Sequence, residues 1–340
     1  MRIAILGAGK QAPRHIRGFR GADPAIELLI ADQDPDRAEA LGQQEGLETI
    51  EVARVFGEAA IDAVVIATPT ITHVPLARLA LESGKHFLVE KPLAQNAADA
   101  EALARQARES GTIGMVGYLY RSVPVFGEIH RLLVEGSLLG PAHLALFRIG
   151  GRGSHQPWKH RRLDGGGVEN EMLVHMLDLA LWFFGEPDHA SLLVRECCRP
   201  KREIAARITD VDADDLWVLR LDYQAGPLVI IEADFLTPGF SQWVEIEGSE
   251  GGIRASIESG VATGITLLRA RAGYAAGTNP IRVQSACTDP YVIQANTFLA
   301  AITSRCPPTY GRLDESVRLQ VLLETLTAQG TPACAPERIA

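Results

Sequence analysis

The sequence predicts an α/β chain in two parts: an N-terminal doubly wound parallel sheet, then an α+β half built on an open, mostly antiparallel sheet. Two observations carry this. Short, predominantly apolar runs at Ile3–Leu6, Leu28–Ala31, Ile61–Ala67, Phe87–Val89 and Ile113–Tyr118 alternate with helical stretches, the pattern of strands buried on both faces by crossover helices. Beyond Pro124 the pattern changes. Trp217, Leu219, Leu221 and Tyr223 alternate with Val218, Arg220 and Asp222, and across a Gln224–Pro227 turn Val229, Ile231, Ala233 and Phe235 alternate with Ile230, Glu232 and Asp234. That is an antiparallel hairpin with one strongly apolar face. With 340 residues, 46% of them hydrophobic, two cores are expected. The boundaries are 1–121 for the first domain and 122–330 for the second, with the final helices packing back on the first, and 331–340 as a loose tail.

Taken in order, Ile3–Leu6 runs into Gly7-Ala8-Gly9-Lys10-Gln11-Ala12, a Gly-x-Gly-x-x-Ala turn opening a helix through Phe19. A strand before, a helix after, a second strand at Leu28–Ala31 and Asp32 twenty positions beyond Ala12 give this turn the setting of a dinucleotide site. Gly7 permits the tight turn, Gly9 lets a pyrophosphate approach the backbone, and Ala12 allows close helix–sheet packing. The helix N-terminus supplies N–H groups and positive potential for the phosphates. A carboxylate at Asp32 accepts from a ribose 2′-OH and repels a 2′-phosphate. Gln33 and Asp34 follow with no adjacent arginine, so NAD is expected rather than NADP. Asp34-Pro35 reads as an N-cap and the first helical residue.

Ile61–Ala67 stops at Thr68-Pro69, and Val74, Ala77 and Leu81 mark one face of a helix ending near Gly84. His73 either caps that helix or lines the cofactor cleft. Phe87–Val89 ends at Glu90-Lys91-Pro92, at the carboxyl edge of the sheet, where open α/β folds bind ligands. Pro92 restricts Lys91 to an extended conformation, which aims its ammonium. Ala97, Ala100, Ala104 and Ala107 then follow helical spacing.

In the second half Leu144–Ile149 reads as a strand, Gly150–Gly167 as a polar glycine-rich stretch and Val168–Phe184 as a helix. Further strands are expected at Trp243–Glu247 and Ile265–Arg269, and closing helices at Tyr291–Thr303 and Glu315–Gln329. On the Val168–Phe184 helix, Glu171, His175 and Asp178 share one face, a carboxylate one turn from an imidazole. Such a pair can serve a substrate hydroxyl as acid and base. It can equally be a surface pair or a histidine satisfied in a core.

The bulk numbers exclude several classes. A formal charge of −9 argues against nucleic acid as a partner. No apolar stretch approaches the roughly 20 residues that span a bilayer, so no membrane partner is expected. Met1-Arg2 leads straight into a strand, so no secretory leader is expected. The five cysteines (Cys197, Cys198, Cys287, Cys306 and Cys334) are odd in number and lack metal-ligand spacing. Cys197-Cys198 is expected as a pair of buried strand residues, no metal is expected, and the composition fits a reducing, cytoplasmic compartment.

With these residues in view, the chain resembles the Gfo/Idh/MocA family of nicotinamide-dependent oxidoreductases from Met1 to about Gln329. The resemblance rests on the Gly7–Ala12 turn, Thr68-Pro69 with His73, Glu90-Lys91-Pro92, Gly117 through Arg121 with Pro124, the Gly165–Asp178 stretch and the last helix. It implies an N-terminal Rossmann domain, a C-terminal open sheet that builds homodimers or homotetramers, and a Lys-Pro peptide, commonly cis. It also implies NAD-dependent hydride transfer at a secondary alcohol or ketone of a sugar, cyclitol or related polyol. By the same resemblance Lys91 is the active-site lysine and His175 the acid/base. Glu171 stands where the family usually has aspartate, and Leu119 where asparagine is usual. Gly7, Ala8, Gly9, Lys10, Gln11, Asp32, Thr68, Pro69, His73, Glu90 and Lys91 form the expected cofactor set. Tyr118, Tyr120, Arg121 and Trp158 are candidate substrate contacts, the two tyrosines being equally suited to packing. Two other functions fit the same residues: a dinucleotide-binding sensor, and a glycoside hydrolase that retains NAD.

Overall fold

The structure, a computed structural model, describes residues 1–136, 138–152, 156–204, 206–258 and 260–330; the expected tail at 331–340 and Cys334 lie outside them. The first half runs β1 (Arg2–Leu6), α1 (Ala12–Ala22), β2 (Glu27–Ala31), α2 (Pro35–Glu45), β3 (Glu48–Thr49), α3 (Val52–Val55), β4 (Ala63–Ile66), α4 (His73–Glu82), β5 (His86–Glu90), α5 (Ala97–Ser110) and β6 (Gly114–Gly117). The second continues with α6 (Pro124–Val134), β7 (Ala142–Gly150), α7 (Val174–Phe184), β8 (His189–Glu196), β9 (Lys201–Ile204), β10 (Arg207–Asp210), β11 (Leu216–Asp222), β12 (Leu228–Asp234), β13 (Ser241–Gly248), β14 (Gly251–Ala255), β15 (Gly264–Leu267) and β16 (Gly277–Asn279). Helices α8 (Pro290–Ser304) and α9 (Leu313–Gln329) close the chain. Two compact units result. One holds Met1–Ser122 with Ala286–Val321, the other Val123–Ser285 with the chain from Leu322 on.

The first unit is a six-stranded parallel sheet ordered β3-β2-β1-β4-β5-β6. Strand order reverses between β1 and β4, so the ends of these two strands flank the switch point and β5 lies one strand beyond. β4 is buried along its whole length, as a strand covered on both faces must be. Ile16 and Phe19 of α1 and Phe298 of α8 pack over Ile3, Ile5, Ile30 and Val65, with Phe19 edge-on to Phe298 at 6.3 Å. The expected cap holds: the Asp34 side chain accepts from the N–H groups of Asp36 and Arg37 at the start of α2.

The second unit centres on an eight-stranded sheet ordered β16-β15-β14-β13-β7-β12-β11-β8. It is antiparallel throughout except for the parallel β7–β12 pair. The expected hairpin pairs Trp217 with Ala233, Leu219 with Ile231 and Leu221 with Val229, all six buried. Phe183 of α7 lies over Phe147 of this inner face at 6.1 Å. Three expectations need correction. Cys197 and Cys198 follow β8 instead of lying in it, because β8 ends where the Cys198 and Arg199 N–H groups turn to the Asp215 carboxylate at 2.7 and 2.9 Å. The helix expected over Val168–Phe184 opens with a π turn at Glu169–Leu173 before α7 begins. Strand β15 stops at Leu267, short of Arg269.

Asp214 and Asp215, 2% and 0% exposed, are buried charges, and such charges persist only when paired and hydrogen-bonded. Arg195 Nε donates to Asp214 at 2.7 Å and Arg162 donates to its other oxygen at 3.1 Å. Arg202 meets Asp215 at 2.8 Å and also donates to His160 Nδ1 at 2.9 Å. Asp215→Ala therefore strands a buried guanidinium and two backbone N–H groups. It is expected to destabilise the protein by about 3–5 kcal/mol, read from urea unfolding midpoints.

Candidate active site

In the first unit the glycine turn leaves β1 at the carboxyl edge. Gly7 has φ +98°, and a Cβ there would lie 2.7 Å from the Ala67 carbonyl oxygen, so only glycine lets the turn meet the end of β4. A Cβ at Gly9 would meet nothing within 4 Å; its backbone faces open space. Asp32, at the end of β2, accepts from the Ala8 N–H at 2.7 Å through one oxygen and from the Asp34 N–H at 3.0 Å through the other. This uses about half of a carboxylate's roughly four acceptor sites. Lys10 and Pro69 are exposed, while Ala8, Gln11 and Thr68 are half-buried.

His73 neither caps α4 nor lies open. It is 1% exposed, with Nδ1 2.7 Å from the Pro92 carbonyl oxygen and Nε2 2.9 Å from that of Thr68. Burial lowers its pKa from the ordinary value, against the two carbonyls and the charge of Glu90. Glu90 is tied to His15 of α1, Nε2 to Oε1 at 2.8 Å. Burial works against this carboxylate, but the hydrogen bond and charge of His15, with Lys91 and His73, hold its pKa below the usual range. Lys91 follows, half-buried, and the Lys91–Pro92 peptide is cis. Tyr118, Tyr120 and Arg121, the candidate substrate contacts of which the tyrosines equally suited packing, are buried at 1%, 8% and 6% exposure. Arg121 pairs with Glu315 at 3.0 Å and lies over the Tyr118 ring, so its guanidinium is committed inside the unit.

In the second unit the glycine run Gly165–Gly167 has a packing cause. A Cβ at Gly166 would lie 2.5 Å from the Lys159 carbonyl carbon and oxygen, and the Gly167 N–H donates to that oxygen at 3.0 Å. The single turn Pro157–His160 thus presses against the start of the π turn. This brings the Lys159 ammonium onto the Glu171 carboxylate, with Trp158 beneath the ammonium at 5.4 Å. Glu171 sits in the π turn, so the straight α-helical spacing to His175 does not hold. His175, near the start of α7, is half-buried between buried Val174 and Met176. Glu169, in the same π turn, has its pKa pushed up to about 7 by burial, with the Asp214 charge adding to the effect.

The sequence reading missed His15, Tyr291 and Lys159. Lys159 carried one usable signal, its place beside Trp158. His15 and Tyr291 carried none, because their partners are remote in sequence.

Comparison with known proteins fits this architecture. Residues 1–118 match the family described as "Oxidoreductase family, NAD-binding Rossmann fold", and residues 126–254 match the Gfo/Idh/MocA C-terminal domain. The chain belongs to the Gfo/Idh/MocA family and is an oxidoreductase. Among its relatives, the scyllo-inositol 2-dehydrogenase (NAD(+)) of Bacillus subtilis strain 168 is 27% identical, over 94% of this chain and 92% of that protein. The inositol 2-dehydrogenase of Rhizobium meliloti strain 1021 is 26% identical, over 89% and 88%. A solved structure of levoglucosan dehydrogenase, complexed with NADH and levoglucosan, shares the fold with a TM-score of 0.85 at 20% identity, over 97% of this chain and 96% of that one.

The residues present fit NAD. The open backbone at Gly9 leaves room for a pyrophosphate at the N-terminus of α1, and Asp32 keeps acceptor sites for ribose hydroxyls. Arg37 is exposed on α2, and Arg14 donates to Gln11 at 3.0 Å. NADP is accordingly expected to bind at least about tenfold more weakly than NAD, because Asp32 repels a 2′-phosphate. Titration calorimetry with both dinucleotides measures this, and equal affinities refute it.

Proposed function

We propose that the protein oxidises a secondary alcohol of a cyclitol, sugar or related polyol, or reduces the matching ketone, with NAD. The observation that carries this is the placement of Lys91 at the carboxyl end of β5, two strands from the glycine turn at the end of β1. Names of full-length relatives support the substrate class: inositol dehydrogenases cover about nine-tenths of this chain.

Bound NAD supplies the hydride acceptor or donor. In the oxidation direction His175 takes the proton of the substrate hydroxyl, and Lys91 donates a hydrogen bond to the oxygen on which negative charge develops. Glu171, held by Lys159, orients substrate hydroxyls. The first test is NADH formation over a panel of cyclitols and sugars; no turnover in either direction with any member refutes the reading. With an active substrate, His175→Ala is expected to lower kcat by about 10²–10⁴-fold with NAD affinity unchanged, and Lys91→Ala to be at least as damaging. Glu171→Asp shifts KM or substrate preference. Parent-like turnover by His175→Ala moves the role of base to Lys91.

The outer face of the eight-stranded sheet supports self-association. Leu144 and Leu146 of β7 pair in register with Leu228 and Ile230 of β12, and with Val218 they form a half-buried apolar patch, wider than a solvated sheet face carries. A second copy of the chain suits this patch. Among the described residues no helix is long and apolar enough to cross a membrane. Light scattering is expected to show a dimer or tetramer, and Ile230→Glu to lower the mass. A parent that is monomeric at micromolar concentration refutes this.

A further inference from the structure

Lys91 is flanked in sequence by Glu90 and Pro92, and a buried histidine holds each of these neighbours. On one side His15, 3% exposed, reaches from α1 to the Glu90 carboxylate at 2.8 Å. Because an ionised carboxylate only accepts, the His15 proton sits on Nε2. The His15 ring stands edge-on to Tyr291 at 5.4 Å and 89°, and the Tyr291 hydroxyl donates to Gln11 Oε1 at 2.9 Å, within the glycine turn. On the other side His73 lies between the Pro92 and Thr68 carbonyls at 2.7 and 2.9 Å. Thr68 begins the turn after β4, where its Cγ2 would be 3.0 Å from a Cβ on Gly7.

We propose that His15 and His73 are positioning residues that clamp the backbone on either side of Lys91 and align its ammonium with the glycine turn and the Thr68 lip. The need is physical. A lysine ammonium rides on a flexible four-carbon stem, and a misplacement of about 1 Å at a reacting centre costs about 10²-fold in rate. Fixing the backbone before and after the residue leaves only the side-chain torsions to order. Among the described residues of this unit the clamp draws on three elements besides β5: α1, α4 and, through Tyr291, α8. The inference rests on the reading of Lys91 as the group that stabilises charge at the reacting oxygen.

The test reads Lys91 itself in the full-length protein. His15→Phe and His73→Phe remove the polar contacts and keep a ring; His15→Gln keeps a donor for Glu90. Each variant is acylated with an N-hydroxysuccinimide ester, and the rate at Lys91 is followed by peptide mass spectrometry. Lys201, exposed on β9, is the internal control. In both phenylalanine variants Lys91 is expected to react about fivefold faster or more once its backbone is released. Lys201 should be unchanged, unfolding cooperative, and His15→Gln closer to the parent. With a polyol the parent oxidises, kcat should fall about 10–100-fold in the phenylalanine variants. In a Lys91→Met background the same substitutions should lower the residual rate by less than about threefold, because their effect passes through Lys91. Parent-like Lys91 reactivity in both folded variants, or a kcat loss that recurs in full without Lys91, overturns the clamp. If the phenylalanine variants do not fold, His15→Asn and His73→Asn take their place with the same thresholds. If the parent oxidises no polyol, the proposed function fails while the labelling result still decides the clamp.

Discussion

The first unit depends on a backbone contact that only glycine allows. Where β1 gives way to α1, Gly7 comes so close to the Ala67 carbonyl that a Cβ would sit 2.7 Å from its oxygen. This contact lets the β1 turn and the β4 turn share one edge of the sheet. With β2, β1, β4 and β5 side by side in the order observed, Asp32, Gly7, Thr68 and Lys91 each stand at the end of a successive strand. Neighbouring strands are about 4.8 Å apart, so this row spans about 14 Å. The row thus begins at an acidic residue and ends at a basic one, with the close Gly7–Ala67 contact between them. The register sets Ala31, Leu6, Ile66 and Val89 level, so Asp32 and Gly7 follow one residue beyond that level and Thr68 and Lys91 two.

Two carboxylates show how environment divides chemically identical groups. Burial works against the charge of both Glu90 and Glu169. Glu90 has a histidine at hydrogen-bond distance and lysine next in the chain, and it stays ionised with a lowered pKa. Glu169 has its own backbone N–H and the more diffuse pull of Arg195 and Arg162, against the push of Asp214, and its pKa rises to about 7. A direct partner decides the sign where burial alone would give the same answer for both.

Local features were legible in the sequence because their causes are local. Gly7 needs a positive φ, Asp34 caps the helix whose first residue is Pro35, and period-two alternation marked the buried face of β11 and β12. The end of β5 was legible for the same reason, an apolar run stopped by a charged pair and a proline. Contacts between distant segments were not. His15 and Glu90 are 75 residues apart, and nothing in the sequence near His15 distinguishes it from any histidine on a helix. The π turn was hidden for a different reason. A single widened turn changes no residue's propensity, and the apolar spacing of Val168–Phe184 suits an α-helix throughout.

That π turn bears on the departure at Glu171, where the family usually has aspartate. The backbone of Lys159 lies against Gly166 because glycine leaves no side chain in the way, and its ammonium meets the Glu171 carboxylate. A glutamate is one methylene longer than an aspartate and carries its charge about 1.5 Å further from the backbone. In this chain the extra length is used within the unit, on a cation that the glycine run brings into range. The two side chains are only 16% and 23% exposed, so the pair is largely shielded from solvent and the desolvation of both charges offsets its Coulomb gain. Its consequence is therefore orientational. The carboxylate is fixed by a lysine on the preceding turn, so the residue at position 171 and the residue at position 159 set its direction together.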